Sequence, residues 1–269
     1  MTRKMVRYAL ACQFQRRPIR RPDVGEKVLA GASRQFKEVF KNAQQQLRDI
    51  FAMEMVELPA KEKVTLAQRR AAQQLQSSKA PTAWVLVTVL PAEFRDPELI
   101  PPSAVPTEEE ESKYVAIYTM LVSLITLSGG ALPDSKLDNY FRRLGLDDAT
   151  PVAGHEKTEI LFKRLEKDGY IVKIKESTGA GEDDTYWMVG PRGKVEVGDS
   201  GIRGLVKTVF GDLSDAAEQE LDKKLDRSLA MMDQTSSRQE TRTQASTQRR
   251  RRSRRNVDDE GAVDEAEED

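Results

Sequence analysis

Residues 33–59 read SRQFKEVFKNAQQQLRDIFAMEMVELP, and their periodicity changes from helical to extended near the middle. In the first part, apolar residues recur every three or four positions, which predicts a helix from about Ser33 to Phe51. Its apolar face carries Phe36, Val39, Phe40, Ala43, Leu47 and Ile50. Alternation from Met53 to Leu58, ended by Pro59, predicts a strand. This helix-to-strand change indicates a small mixed α+β domain.

The flanking sequence completes one domain of about 90 residues. Upstream, Val6, Leu10 and Phe14 recur every four residues, which predicts a helix over about 3–15. Pro18 and Pro22 bracket a basic connector, and a short helix is expected over 23–29. Downstream, residues 84–90 read WVLVTVL, the clearest strand of the chain. Three helices followed by two strands are the element order of a winged-helix domain.

The same order repeats after a proline-rich, acidic linker at 91–111. Helices are predicted from about Ser112 to Leu127, from Pro133 to about Leu144 and over about 156–168, followed by a hairpin over 170–175 and 185–189. The predicted fold is therefore mainly α with small β-hairpins (α+β): two tandem winged-helix domains at 1–90 and 112–211. A C-terminal helix is expected at 212–232, and the polar tail at 233–269 is expected to be disordered.

Composition excludes several classes of protein. The chain has one cysteine, Cys12, and one histidine, His155, so we expect no disulfide framework, no zinc site and no Ser-His-Asp or Cys-His catalytic centre. Its longest apolar runs fall well short of the roughly 18 residues of a membrane span, and no secretory signal is visible. We therefore predict an intracellular protein without catalytic residues, metal or cofactor.

Charge is strongly segregated although the net charge is only −1. Residues 1–80 contain 17 Lys/Arg and 7 Asp/Glu, whereas the last twelve residues contain eight acids and no base. Between them lies a run of six arginines in seven residues: Arg249, Arg250, Arg251, Arg252, Arg254 and Arg255. Such a run is typical of a nuclear import signal or of nucleic-acid contact. We expect nuclear, chromatin-associated localisation.

Five segments resemble the MAGE homology domain family. Met5-Val6-Arg7-Tyr8 with Pro18-Ile19-Arg20-Arg21 is similar to the opening of that domain, and residues 51–58 are similar to its phenylalanine-led strand entry. Leu127-Ser128-Gly129-Gly130 matches a turn in its second winged helix. The most specific match is Trp187-Met188-Val189-Gly190-Pro191-Arg192-Gly193, which resembles the Trp-Gly-Pro-Arg motif of the family. The resemblance covers about residues 3–211 and is strongest to MAGE-like subunits of SMC five–six chromosome complexes.

That resemblance implies a scaffold that binds a RING-type ubiquitin ligase subunit and a kleisin subunit. It also implies duplex DNA binding near the SMC ATPase heads during recombination repair. On the first helix, Val6 and Leu10 are the candidate contacts for the RING subunit. Many relatives carry a paired leucine there, whereas this chain has Tyr8-Ala9-Leu10-Ala11, so the contact chemistry is expected to differ.

The helix over 112–127 has few and small polar residues, which predicts that most of its sides are covered. One interpretation is packing between the two domains. The other is a groove that receives an amphipathic kleisin helix. In the second case, Leu121, Leu124 and Ile125 are the candidate anchors.

The third helix of the second domain and the following strand contain the candidate DNA-binding residues Lys163, Arg164, Lys167, Lys173 and Lys175. A solvated helix of mixed charge is an equal alternative, because Glu159 and Glu166 share that face. Carboxylates disfavour a helix in the major groove, so we expect backbone contacts without sequence specificity. Arg16, Arg17, Arg20 and Arg21 are expected to be exposed in their connector.

Two other classes of function remain open from the sequence. A free-standing transcription regulator would use the winged helices for specific DNA sites. A hydrolase with a carboxylate site would need metal-dependent turnover.

Overall fold

The computed structural model describes residues 1–59, 82–95, 107–146, 154–155, 157–177 and 183–230. The chain divides into two compact units, Met1–Asp212 and Leu213–Asp269. Both predicted winged helices lie in the first unit. Across the described ranges, no helix is long and apolar enough to cross a membrane. The arginine run and the acidic tail lie outside the described residues.

The first winged helix follows the predicted order with one added strand. Its elements are α1 (Thr2–Phe14), β1 (Ile19–Arg20), α2 (Arg21–Lys27), α3 (Phe36–Phe51), β2 (Met53–Glu57) and β3 (Ala83–Thr88). The strands form an antiparallel sheet in the order β1-β3-β2. The sequence did not predict β1 because two residues are too few to show an alternating pattern.

The change from α3 to β2 takes place at Ala52. This residue has left-handed backbone geometry, with φ of 49°, and its N–H donates to the Leu47 carbonyl oxygen. The next residue starts β2, which pairs with β3 from Met53 opposite Thr88 to Glu57 opposite Trp84. Beyond that last pair, the Leu58 N–H donates to the Ala83 carbonyl oxygen at 3.0 Å. The two ends of the intervening segment are therefore held together.

The core of this domain lies between α1, α3 and the sheet. Met5, Ala9, Ala43 and Leu47 are completely buried. The ring centroids of Phe36 and Phe40 lie 5.8 and 5.0 Å from that of Trp84, respectively. Most of the predicted apolar face of α3 is thus in or against the core, but Ile50 is 70% exposed. It lies in the last turn of α3, where Phe51 is exposed as well, so the apolar pattern extends beyond the part of the helix that packs on the core.

The second winged helix repeats the same order. Its elements are α4 (Glu108–Leu127), β4 (Ala131–Pro133), α5 (Asp134–Arg143), α6 (Thr158–Asp168), β5 (Ile171–Ser177) and β6 (Asp183–Val189). The sheet order β4-β6-β5 matches that of the first domain. Gly169 ends α6 with φ of 88°, as its sequence position predicted. The predicted α+β fold with two winged helices is confirmed.

Helix α4 begins one turn earlier than predicted. Thr107 caps it by accepting a hydrogen bond from the Glu110 N–H at 3.2 Å, and the four consecutive glutamates form its first turn. Acidic side chains at a helix N-terminus interact favourably with its dipole. The acidic run is therefore the start of a helix, and the spacing of Thr107 and Glu110 is the capping signal that sequence reasoning missed.

After β6 the chain forms α7 (Pro191–Glu196) and α8 (Gly198–Phe210). The apolar spacing of the sequence predicts a helix only from Arg203 to Phe210, so α7 and the first turn of α8 are additions that the structure shows. Helix α8 packs against α4. In the second unit, residues 215–230 form a helix, α9.

Candidate partner-binding and DNA-binding surfaces

Helix α1 has an accessible apolar face, but this face differs from the predicted one. Val6 is only 7% exposed and belongs to the core cluster, so it is unavailable to a partner in this structure. Leu10 is half-buried, and Phe14, one turn further on, is 66% exposed. Leu10 and Phe14 therefore form the accessible apolar part of α1, which we call the α1 face. The sequence places Phe14 in the apolar pattern of α1 but does not identify it as a partner contact, because its exposure depends on how α1 packs.

Helix α4 likewise presents only part of the predicted set. Leu121 and Ile125 are completely buried, so they serve the core of the second domain and cannot act as surface anchors here. Leu124 and Met120 are half-buried, and Met120 and Leu127 lie four residues before Leu124 and three residues after it. Leu127 is 38% exposed. These three residues form one stripe along the helix, which we call the α4 face.

Arg16 does not lie in an exposed connector as predicted. Its guanidinium forms an ion pair with Glu111, and Nη1 donates to the Tyr170 hydroxyl at 2.9 Å. The guanidinium carbon also lies 4.8, 5.7 and 5.9 Å from the ring centroids of Tyr114, Tyr118 and Tyr170. The arginine of the first domain is thus bound in an aromatic and acidic cage formed by the second.

Further contacts extend this cage to α7. The Tyr170 hydroxyl donates to Glu196 at 2.6 Å, and Arg192 Nε donates to the other oxygen of the same carboxylate at 2.6 Å. Arg192 Nη2 donates to the Gln13 side-chain oxygen at 2.9 Å, back in α1. Arg192 Nη1 is buried without a hydrogen-bond partner among the described residues. We call this set of contacts the domain junction; it confirms inter-domain packing as one use of α4.

The junction tyrosines are held as neutral phenols. Burial raises the pKa of Tyr114, Tyr118 and Tyr170, and the nearby Glu196 carboxylate raises the pKa of the last two further. The rings of Tyr118 and Tyr170 stack with centroids 3.9 Å apart. Neutral phenols can donate hydrogen bonds to Glu196 and Asp168, while their ring faces attract the arginine.

Arg164, a predicted DNA contact, is engaged within the second domain. Its guanidinium lies 4.2 Å from the Tyr114 ring centroid, and Nε lies 3.7 Å from Asp168. Nη1 lies 3.1 Å from Nε2 of His155. Burial and the Arg164 charge lower the pKa of His155, which fits a neutral ring that accepts this hydrogen bond. The half-buried Arg164 supports the tyrosine cage instead of projecting into solvent.

The other predicted DNA contacts differ in their freedom to meet a phosphate. Lys163 is exposed but forms an ion pair with Glu159 at 2.8 Å. Lys173 lies 3.8 Å from Asp134 and 4.9 Å from the Trp187 ring centroid. Lys167 and Lys175 are exposed and form no ion pair with another described residue. Within the part of the chain that the structure describes, two cations of the predicted patch therefore have no ion pair or ring contact.

Among the described residues, no group of three or more His, Cys, Asp or Glu side chains is placed to hold a metal ion. Glu108 and Glu109 lie on the outside of the first turn of α4, and Glu111 points into the domain junction. The acidic run thus has a structural use in capping and domain contact.

Comparisons with known proteins agree with this architecture. The family model of the MAGE homology domain matches residues 5–200. Among solved structures, a chain from an assembly titled "Nse1-Nse3-Nse4 complex" has the same fold, with a TM-score of 0.64 and 15% sequence identity. The alignment covers 84% of this chain and 95% of that chain. A search of curated proteins found no match. Because the family match spans well over half of the sequence and both winged helices, the chain belongs to the MAGE homology domain family.

Proposed function

We propose that this chain is the MAGE-like scaffold subunit of an SMC five–six type complex. It bridges a RING-type ubiquitin ligase subunit and a kleisin, and it binds duplex DNA without sequence preference. The observation that carries the proposal is the shared fold with a chain of the Nse1-Nse3-Nse4 complex across 95% of that chain. The role is non-catalytic, as a cofactor of the ligase, and belongs to recombination repair in the nucleus.

The α1 face is the proposed contact for the RING subunit. An exposed phenylalanine beside a half-buried leucine provides apolar area that a partner can bury, and aromatic residues are common at the centre of interfaces. The first helix keeps its fold through Met5, Val6 and Ala9, which are buried on its other side. Binding at Leu10 and Phe14 would therefore leave the core undisturbed.

The α4 face is the proposed contact for the kleisin. The α4 face has three apolar side chains along one side of the helix: Met120, Leu124 and Leu127. An amphipathic helix of the partner can pack its own apolar face against such a surface. Helix α8 packs beside α4 and carries the half-buried Leu205 and Val206. An apolar helix of the partner could bury both sets of side chains.

Duplex DNA binding is proposed to use exposed cations and phosphate contacts. On α6, two lysines and two glutamates share one surface: Lys163, Lys167, Glu159 and Glu166. This mixed charge suits contacts to DNA phosphates better than contacts to base edges in the major groove. Three to five neutralised phosphates would give a log–log salt slope of about −3 to −5.

The test is co-expression of the full chain with candidate RING and kleisin subunits, followed by size-exclusion chromatography and salt-titrated binding to random duplex DNA. We expect a stable three-subunit complex whose affinity for DNA falls steeply with salt. A chain that remains alone and selects one site from a random pool would instead identify a transcription regulator and overturn the proposal.

A further inference from the structure

The third helix of the first domain has a basic side that the proposed function does not use. In α3, Val39, Ala43 and Leu47 face the core, whereas Lys37, Lys41 and Arg48 are exposed. The three cations are separated by four and seven residues. At 3.6 residues per turn they lie within about 40° of one another around the helix, and they span about 16 Å along its axis. We call them the α3 stripe.

Most of the α3 stripe is free to meet an anion. Lys37 and Lys41 have no ion-pair partner among the described residues. Arg48 forms an ion pair with Glu54 at 2.6 Å, and both side chains are partly exposed. Gln45 is exposed about 40° around the helix from Lys41, and its side-chain amide donates to the Asp49 carboxylate at 2.8 and 2.9 Å.

Additional cations lie near the N-terminal end of α3. The Arg21 guanidinium lies 4.7 Å from the ring centroid of Phe36, the first residue of α3, and is exposed. Arg34, two residues before Phe36, is exposed as well, as is Arg20 in β1. The positive end of the helix dipole points in this direction. Cations therefore continue from the side of α3 onto its N-terminal end.

The equivalent helix of the second domain is less suited to bind an anion. On α6, Lys163 is paired with Glu159, and Arg164 lies within the tyrosine cage. A phosphate that approaches Lys163 also approaches that carboxylate, which weakens the attraction. On α3, Arg48 has such a partner in Glu54, whereas Lys37 and Lys41 have none among the described residues. The exposed acids Glu38 and Asp49 lie off the stripe, about 60° or more around the helix from Lys41 and Arg48.

We infer that the α3 stripe is a binding surface for the phosphate backbone of duplex DNA, so that the first winged helix contributes directly to DNA binding. This inference rests on the proposed function and assigns its DNA contact to a particular helix. An acidic protein is the other possible occupant of a basic surface. DNA is favoured because the three cations follow one line along the third helix, the element that winged-helix-turn-helix folds apply to a duplex.

The test compares full-length variants in fluorescence anisotropy titrations with a random duplex at several salt concentrations. Lys37→Glu/Lys41→Glu removes two stripe cations. Lys4→Glu/Lys136→Glu is the matched control, because it changes net charge equally at exposed lysines of α1 and α5. We expect the stripe variant to bind at least about tenfold more weakly near 0.1 M salt, with a log–log slope less steep by about two. The variant Lys37→Arg/Lys41→Arg keeps both charges, so it should retain the affinity and the salt slope of the wild type.

The outcomes separate the inference from the proposed function. If the wild-type chain and its complex bind no duplex at all, the proposed DNA binding fails. If the wild type binds but the stripe variant binds equally well, DNA contact is real and lies elsewhere, which overturns the inference. Equal losses in the stripe variant and the control would show that only net charge matters, and would overturn it as well. Circular dichroism of each variant establishes that α3 is still folded.

Discussion

The guanidinium of Arg16 enters the second domain from a backbone position with φ of 52°, an unusual value for a residue other than glycine. The tyrosine rings, the Glu111 carboxylate and the Tyr170 hydroxyl together hold it there. Conformations of this kind persist when the surroundings over-determine them. Arg16 is therefore a specific link between the domains.

Replacement of Arg16 is expected to be costly because it leaves Glu111, which is 6% exposed, without its counter-charge. We expect Arg16→Ala to lower the free energy of unfolding by about 3 kcal/mol. Urea denaturation of the full chain measures it. The double variant Arg16→Ala/Glu111→Gln should recover part of the lost stability, since it leaves no unpaired buried charge. Equal free energies of unfolding for the wild type and Arg16→Ala would show that the Arg16 contacts do not stabilise the chain.

Alkaline pH should also act on the junction. The pKa values of Tyr114, Tyr118 and Tyr170 are raised by burial, whereas tyrosines of the unfolded chain titrate near 10. Above that pH the unfolded chain binds fewer protons than the folded chain, so the free energy of unfolding falls as pH rises. Absorbance at 295 nm should show these phenols ionising together with loss of helix by circular dichroism. Their full ionisation in a folded chain would contradict this.

At the scale of elements, α4 serves the core, the junction and an accessible face with different sides of one helix. Leu121 and Ile125 are buried in the core. Glu111 and Tyr114 contact Arg16, and Leu124 is half-buried at the surface. A uniformly apolar sequence does not distinguish these sides. Substitutions one turn apart should therefore have different effects.

We expect Leu124→Arg to weaken binding of the proposed kleisin partner while the chain stays folded, because a long charged side chain at this half-buried site can extend to solvent. Leu121→Ala should instead lower the free energy of unfolding by about 3 kcal/mol, since it leaves a cavity in the core. Co-purification measures the first effect and urea denaturation the second. Loss of folding in Leu124→Arg would show that Leu124 serves the core and not a partner.

The elements show how far periodicity reaches. The long helices and the central strands follow from apolar spacing, because each buries one continuous face. The strands β1 and β4 have two and three residues, too few for a pattern, and exist through pairing with β3 and β6. The start of α4 was missed because a run of glutamates after prolines reads as a linker, although Thr107 supplies a cap.

Side-chain contacts between domains could not be predicted in the same way. Arg16 looked like its neighbours Arg17 and Arg20 in the connector, and only the fold places it against Tyr170, far along the chain. Similarly, Val6 and Leu10 both belong to the apolar pattern of α1, but the depth of each in the core depends on how α1 packs on α3. The sequence could predict that α1 has an apolar face and that the connector is basic, but not which side chains of each would be buried and which accessible.

At the scale of the whole molecule, the two winged helices belong to one compact unit, Met1–Asp212. We expect differential scanning calorimetry to show a single cooperative transition for this unit, because the buried junction couples the domains. In Arg16→Ala/Arg192→Ala, loss of these contacts should split it into two transitions. Two transitions in the wild-type chain would show that the domains unfold independently.

The sheet of the first domain also has a practical consequence. The Leu58–Ala83 hydrogen bond holds the two strand ends together at the positions where the joining segment leaves and re-enters the sheet. Because the entropy of closing a loop grows slowly with its length, this position should accept a guest sequence such as a fluorescent reporter. A chain carrying its reporter there, with α1, α4 and both chain termini untouched, would allow assembly to be followed in living cells.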